Sequence, residues 1–324
     1  MVISLVCNSR AEAGPLESVI DALKPDVCVT RYDAAGLTPA CAMSQALTFF
    51  TAMFQQQSPE MVVVLGDRYE TLAAALAAKF LRLPIAHIHG GETTTGAFDN
   101  AFRHSITHLA DLHLVPTDTA EDKVLNMVEE PVEVHIVGAP GLDGIEQNSA
   151  QRDQDLILVT YHPETLEKYH GSIMCRDMLV ALDSLLTHSK YEAIFTGVNA
   201  DPGNVKIGGM IEEFVQKHPL NSKLETGLTH QEYIKLMQSA ALVVGNSSAG
   251  IIEAPWIGIP TVNLGHRQSG RPMARSVFGL GEGKSADILN IMKYAMSFEG
   301  DPEPEYVGGA APKIAERIRN FLNG

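Results

Sequence analysis

Residues 87 to 104, HIHGGETTTGAFDNAFRH, place three histidines, Glu92, Asp99 and Arg103 around a Gly-Gly pair. The preceding run, Leu83-Pro-Ile-Ala, is apolar enough for a buried strand, and the residues after it are too polar to continue it. With Asp67 upstream, these carboxylates could divide proton abstraction and donation, because neighbouring like charges push pKa values apart. Asp99 also stands where a helix would start, with Arg103 one turn on, so capping and catalysis are both open to it. His87-x-His89 puts two imidazoles on one side of a strand, as a metal site would require. Spacing fixes no third ligand and there is no HExxH, so metal-free chemistry is expected. His104 and His108 fit a helix face.

A second group of residues suits an anion. Gly245-Asn-Ser-Ser-Ala-Gly250 lies where a strand should turn into a helix, followed by Glu253. Ser247 and Ser248 can cap that helix, or they can donate hydroxyls to a phosphate and ribose beside free backbone N–H groups and the helix dipole. Arg267 and Arg271 follow the last strong strand run, and Arg10 stands at the first strand–helix turn. Planar guanidinium groups suit phosphate through paired hydrogen bonds. His162-Pro163 offers an orienting or ligand hydrogen bond.

These residues share a position relative to the elements that must hold them. Met61-Val-Val-Val-Leu runs into Gly66-Asp67-Arg68, and Leu156-Ile-Leu-Val-Thr into Tyr161-His162-Pro163-Glu164. Ala193-Ile-Phe-Thr ends in Gly197-Val-Asn199, Ala241-Leu-Val-Val in the glycine–serine segment, and Pro260-Thr-Val-Asn-Leu in Gly265-His-Arg267. Ligands bind outside the carboxyl ends of parallel strands, so six polar tips of one kind suggest a large site built from two sheets. Strand runs are expected near 2–7, 26–30, 61–65, 84–88, 112–115 and 133–137, and again near 156–160, 192–196, 241–244 and 260–264. Helices are expected near 14–23, 40–56, 69–82, 99–110 and 117–128, then 172–187, 203–217, 230–238, 248–256 and 284–297. The alternation argues for βαβ units. The polar stretch 147–155 reads as a linker, 300–306 as a second breaker, and Ile314, Ile318 and Phe321 share one face of a last helix.

A length of 324 residues suggests two domains. No apolar run approaches the roughly 18 residues of a membrane span. Val2-Ile-Ser-Leu-Val enters a strand without a basic leader, so no secretory signal is expected. Four scattered cysteines read as reduced thiols of a cytoplasmic protein. A net charge of −15 with no basic cluster argues against nucleic acid as a partner, but not against an anion held in a cleft.

Gly66-Asp67-Arg68, the His-x-His-Gly-Gly-Glu run with Gly96-Ala-Phe-Asp99 and Arg103-His104, and Gly245-Asn-Ser-Ser…Glu253…Arg267-Gln-x-Gly-Arg271 resemble the hydrolysing UDP-N-acetylglucosamine 2-epimerases of sialic-acid biosynthesis. The resemblance implies an α/β, glycosyltransferase-B-like fold. Its parts would be a Rossmann-like domain over 1–150 with the carboxylates, a nucleotide-binding one over 151–300, and a helix over 301–324 crossing back to the first. It implies elimination of the nucleoside diphosphate across C1–C2, then addition of water with inversion at C2, without a cofactor. It also implies catalytic roles for Asp67 and Asp99, with Arg103 positioning one of them. Arg10, Arg68, His162, Asn199, Ser247, Ser248, Glu253 and Arg267 would bind substrate in a homodimer or homotetramer.

The sequence departs from the family in two places. Some members carry a catalytic Glu where this chain has His89, so either His89 or Glu92 takes that role here, or the substrate differs. The segment after Asp26-Val-Cys-Val-Thr is short, which bears on sugar choice. A non-hydrolysing epimerase, or a nucleotide-sugar-binding protein without catalysis, is the alternative.

Overall fold

The computed structural model describes residues 2–8, 10–34, 36–128, 132–151, 155–187 and 189–324, with residues 10 and 11 described by their backbone alone. The chain divides into two compact units: unit 1 is Met1–Glu92, Asp99–Gly144 and Tyr306–Gly324, and unit 2 is Thr93–Phe98 and Ile145–Glu305.

Unit 1 runs β1 (Ile3–Val6), α1 (Arg10–Leu23), β2 (Val27–Thr30), α2 (Pro39–Gln57), β3 (Met61–Leu65), α3 (Tyr69–Phe80), β4 (Ile85–Ile88), α4 (Asp99–Leu109), β5 (Leu112–Val115), α5 (Asp118–Met127) and β6 (Glu133–Ile136). Its strands form one parallel sheet in the order β2-β1-β3-β4-β5-β6. The central strands are apolar at nearly every position because both faces are covered. Ile3, Leu5, Met61, Val63, Ala86 and Ile88 pack on one side, and Val6, Val62, Val64 and Ile85 on the other with α2 and α3. Successive strand residues point to opposite faces, so a doubly covered sheet needs an unbroken hydrophobic run.

Unit 2 repeats the plan: β7 (Leu156–Thr160), α6 (Ser172–Thr187), β8 (Glu192–Thr196), α7 (Asn204–Lys217), β9 (Ser222–Glu225), α8 (His230–Ser239), β10 (Leu242–Gly245), α9 (Glu253–Ile257), β11 (Thr261–Leu264), β12 (Val277–Leu280) and α10 (Ser285–Met296). The sheet is again parallel, in the order β12-β11-β10-β7-β8-β9. The chain then returns to unit 1 as α11 (Ala310–Asn323), whose Ala310, Ala311, Ile314, Ala315 and Ile318 join the core cluster of α1 and the first sheet. Asp143 fixes where that helix starts by accepting from the Ala310 and Ala311 amides at 2.8 and 2.7 Å, two donors that a helix start leaves unpaired. No helix among the described residues is long and apolar enough to cross a membrane.

The strand order reverses between β1 and β3 in unit 1 and between β7 and β10 in unit 2. The crevice at such a reversal is where doubly wound sheets bind ligands. Three local expectations change. β9 and β12 are edge strands absent from the sequence reading, because each is four residues long and partly exposed. The helix expected over 248–256 is a 3₁₀ turn, Ser248–Gly250, followed by the five-residue α9. α1 starts at Arg10 and carries Pro15 within it, tolerating the loss of one i→i−4 hydrogen bond.

Candidate active site

In unit 1 the tips of β3 and β4 bring together the titratable residues. Gly66 turns the chain at φ +77°, a conformation that favours glycine, and Asp67 follows it. Arg103, one turn into α4 and 3% exposed, reaches the Asp67 carboxylate through Nη2. Its Nε and Nη1 are buried with no hydrogen-bond partner among the described residues. Asp99 opens α4 one turn before Arg103. Arg68 is engaged within its own loop, with Nε and Nη2 donating to the two Glu70 oxygens at 3.2 and 3.3 Å. The side chain of Arg10 lies outside the described residues.

His87 and His89 part company, contrary to the same-side expectation. β4 ends at Ile88, and His89 lies beyond it in the left-handed region at φ +62°. The His87 ring is fully buried, with Nε2 2.8 Å from the Gly66 carbonyl. Burial pushes it down to about 3, so it is a neutral Nε2–H donor that holds the Gly66 turn. His89 Nδ1 instead faces Glu92 Oε2 at 3.6 Å. The other Glu92 oxygen accepts from the Tyr306 hydroxyl at 2.6 Å, and both residues are buried. The Gly-Gly pair between His89 and Glu92 is dictated by contact: a Cβ at Gly91 would lie 2.1 Å from the Ala120 carbonyl oxygen, and one at Gly90 2.9 Å from His87 Nδ1.

In unit 2 Asn246, after β10, fastens the tips of β7 and β11, and His162 in turn holds that of β8. The Asn246 side chain accepts from the His162 amide at 2.7 Å and donates to the His162 carbonyl at 2.9 Å. Its own carbonyl accepts from Gln268 Nε2 at 2.9 Å and from Arg267 Nη1 at 3.5 Å. The Asn199 amide donates to His162 Nδ1 at 3.3 Å. Burial and the nearby Arg267 charge push His162 down to about 3. A neutral ring that accepts at Nδ1 must carry its proton on Nε2, so His162 is a fixed N–H donor.

Glu164 accepts from the His266 amide at 3.3 and 3.1 Å and so holds the loop that carries Arg267. Its own pKa is raised by burial against the pull of that hydrogen bond. Ser247 caps the 3₁₀ turn by accepting from the Ala249 amide at 3.4 Å. With α9 only five residues long, the helix dipole expected there contributes little, and the hydroxyls of Ser247 and Ser248 and the Arg267 guanidinium carry the capacity for an anion. Glu253 is pushed up to about 7 by burial, with its own amide and Arg271 pulling the other way.

The segment Thr93–Phe98, from the first half of the sequence, is built into unit 2. The Thr95 amide donates to the Ser269 carbonyl at 3.0 Å and the Phe98 amide to Thr165 Oγ1 at 3.1 Å. At Gly96 a Cβ would lie 2.4 Å from the His266 carbonyl oxygen. Sequence reasoning gave no role to Asn246, Glu164, Gln268 or Tyr306. Asn246 and Glu164 carry a signal, since each is a polar residue directly after a buried strand. Tyr306 carries none, because its partner is 214 residues away.

The sequence pattern of the UDP-N-acetylglucosamine 2-epimerase family matches residues 17–319. A GDP/UDP-N,N'-diacetylbacillosamine 2-epimerase (hydrolyzing) of Campylobacter jejuni is 34% identical over 248 residues, which is 73% of this chain and 64% of that protein. The UDP-N,N'-diacetylbacillosamine 2-epimerase (hydrolyzing) of Legionella pneumophila is 34% identical over 250 residues, 74% of this chain and 64% of the relative. The UDP-GlcNAc 2-epimerase of Neisseria meningitidis, solved with UDP-GlcNAc bound, superposes with a TM-score of 0.78 at 19% identity, covering 100% of both chains. That of Methanocaldococcus jannaschii, solved with UDP-GlcNAc and UDP, gives 0.81 at 17% identity, again over 100% of both chains. These structures share the glycosyltransferase-B-like pair of Rossmann-like units. By the extent of the sequence match and this fold, the chain belongs to the UDP-N-acetylglucosamine 2-epimerase family.

Proposed function

We propose that the chain is a hydrolysing nucleotide-sugar 2-epimerase acting on a UDP- or GDP-linked N-acyl amino sugar. A base takes the C2 proton, the C–H electron pair becomes the C1=C2 bond, and the nucleoside diphosphate leaves with the C1–O pair. Water then adds its oxygen to C1 while a proton reaches C2 from the opposite face, and the free 2-epimer results. The net change is addition of water, so no redox cofactor is required.

The observation that carries this reading is the cluster of proton-transfer groups at the β3 and β4 tips, in a chain whose 34% identical relatives are named as hydrolysing 2-epimerases. Asp67, held by Arg103, and Asp99, at the start of the same helix as Arg103, are the acids of the mechanism. The two buried Arg103 donors, Nε and Nη1, suit a polar substrate group, since a buried guanidinium left without acceptors is costly. His162, Asn199, Ser247, Ser248, Glu253 and Arg267 take the diphosphate and ribose.

The test is NMR of the products formed from a panel of nucleotide sugars in deuterated water. A released sugar with deuterium at C2 is expected, with Asp99→Asn losing turnover but retaining nucleotide binding. Accumulation of a diphosphate-linked epimer instead would replace the hydrolysing reading with the non-hydrolysing one.

A further inference from the structure

Glu92 is surrounded in a way that a carboxylate acting directly on substrate would not need. It is 3% exposed, one oxygen accepts from the fully buried Tyr306 at 2.6 Å, and the other faces His89 Nδ1 at 3.6 Å. His89 retains more solvent contact, its side chain being 14% exposed against 2% for Glu92. Its backbone is held at φ +62°, with its amide bonded to the Leu114 carbonyl at 3.0 Å. A non-glycine residue fixed in that region marks a constraint that the surrounding structure enforces. The two glycines that follow leave no room for a side chain.

We infer that Tyr306, Glu92 and His89 form a relay in which His89 Nε2 is the atom that exchanges a proton with the substrate, while Glu92 and Tyr306 are positioning residues acting through it. Glu92 faces Nδ1, so Nδ1 carries the ring proton and Nε2 the lone pair. The Tyr306 hydroxyl donates to the far oxygen and fixes the orientation of the carboxylate. When Nε2 takes the C2 proton, the electrons of that C–H bond move into C1=C2 and the diphosphate departs. The imidazolium so formed is stabilised by Glu92. The 3.6 Å gap is ion-pair range, and such contacts commonly shorten once substrate is bound.

The relay also ties the chemistry to the chain's return. Glu92 is the last residue of the first stretch of unit 1, and Tyr306 is the first residue of the segment that carries α11 back to it.

The assignment of a proton transfer to Nε2 rests on the epimerase reading; the arrangement of the relay does not. The test therefore has two arms. In the first, ¹⁵N NMR of the histidine rings is recorded on the free protein above the range where histidine is charged, for wild type, Glu92→Gln and Tyr306→Phe. Wild type is expected to show His89 with the proton on Nδ1. In Glu92→Gln the amide NH₂ stands where Oε2 stood, with Tyr306 on the other oxygen, so the tautomer should reverse to Nε2–H. An unchanged His89 tautomer in Glu92→Gln would overturn the relay, whatever wild type turns over.

The second arm is steady-state kinetics at neutral pH on whichever nucleotide sugar wild type consumes. Reversing the tautomer of an oriented base costs about 10⁴-fold in kcat where it has been isolated. Glu92→Gln should accordingly lose on the order of 10³–10⁴-fold in kcat with KM little changed, and Tyr306→Phe roughly tenfold or more. A reversed tautomer with wild-type kcat would remove His89 Nε2 from the chemistry. A wild type that consumes no nucleotide sugar would instead sink the functional reading and leave the first arm to decide the relay.

Discussion

Unit 1 buries two imidazoles in its sheet, and they should make it the acid-labile half of the protein. His87 on β4 and His113 on β5 are register neighbours, both 0% exposed, and burial pushes them down to about 3 and about 4. The unfolded chain takes up these protons near the ordinary histidine value of about 6.5, whereas the folded unit refuses them until pH 3–4. A depressed pKa on a base means that stability is intact above the unfolded value and is lost as pH falls below it. Each group contributes about 1.4 kcal/mol per pH unit, so the pair should cost unit 1 roughly 4 kcal/mol between pH 7 and pH 5, a large share of the 5–15 kcal/mol that typically holds a domain together.

Unit 2 should resist over the same range. His162, at about 3, pulls the same way, but Glu253, raised to about 7, pulls the other. An acid whose folded pKa is raised stabilises the fold as pH falls through that value, so the two nearly cancel at pH 5. Urea titrations at pH 7, 6 and 5 can separate the units. Trp256, the single tryptophan, reports unit 2 by fluorescence, and far-UV circular dichroism reports both. His113→Leu removes one titration, and both ring nitrogens of His113 lack a hydrogen-bond partner among the described residues, so nothing is lost at pH 7. This variant should halve the acid slope of unit 1 and hold about 2 kcal/mol more stability at pH 5. An acid slope identical to that of wild type would refute the argument.

Asn246→Ala should be among the costlier substitutions in unit 2. It removes two hydrogen bonds and leaves the amide and carbonyl of His162 short of partners in a buried place, worth about 3–5 kcal/mol together. Denaturation followed through Trp256 measures the loss, and a change below about 0.5 kcal/mol, the scale of an ordinary surface substitution, would contradict the role assigned to it. On the proposed function Arg267→Met should weaken UDP binding on the order of 10²-fold by calorimetry, because a guanidinium gives charge-assisted hydrogen bonds to phosphate. Arg68→Met should change it by no more than about threefold, its charge being already engaged by Glu70; equal losses for the two arginines would contradict this division.

The sequence made most of the architecture legible because doubly covered parallel strands leave an unmistakable trace. Met61–Leu65 and Leu156–Thr160 are apolar throughout for that reason, and β9 and β12 escaped notice because an edge strand needs no such run. Polar residues after strands were legible for a related reason: a parallel sheet sends all its carboxyl ends to one edge, so Asp67, His162, Asn199, Asn246 and Arg267 are read as tips from their neighbours alone. Pairing was not legible. Arg103 at i+4 from Asp99 suggested a partner on its own helix, yet its Nη2 reaches Asp67 on another element. Part of the attachment of Thr93–Phe98 to unit 2 is a main-chain hydrogen bond between Thr95 and Ser269, which leaves no mark on residue type.

On the proposed function the two units meet different chemical demands, and the residues assigned to each follow from that. Proton transfer requires titratable groups fixed in place, and in unit 1 Asp67 is paired with Arg103 while His89 faces Glu92, which accepts from Tyr306. Binding the proposed diphosphate requires donors rather than titration, in a protein whose net charge of −15 would repel it at long range. The tips of unit 2 accordingly present hydroxyls, a neutral histidine locked as an N–H donor, and an arginine whose hydrogen bond is to a main-chain oxygen rather than to a carboxylate. Such donors gain by being aligned before the ligand arrives, since alignment lost on binding would be subtracted from affinity. Asn246 supplies that alignment. Its single side chain spends both of its polar atoms on the backbone of His162, so the position of that N–H donor is set by the strand order itself, through the neighbouring carboxyl ends of β7 and β10.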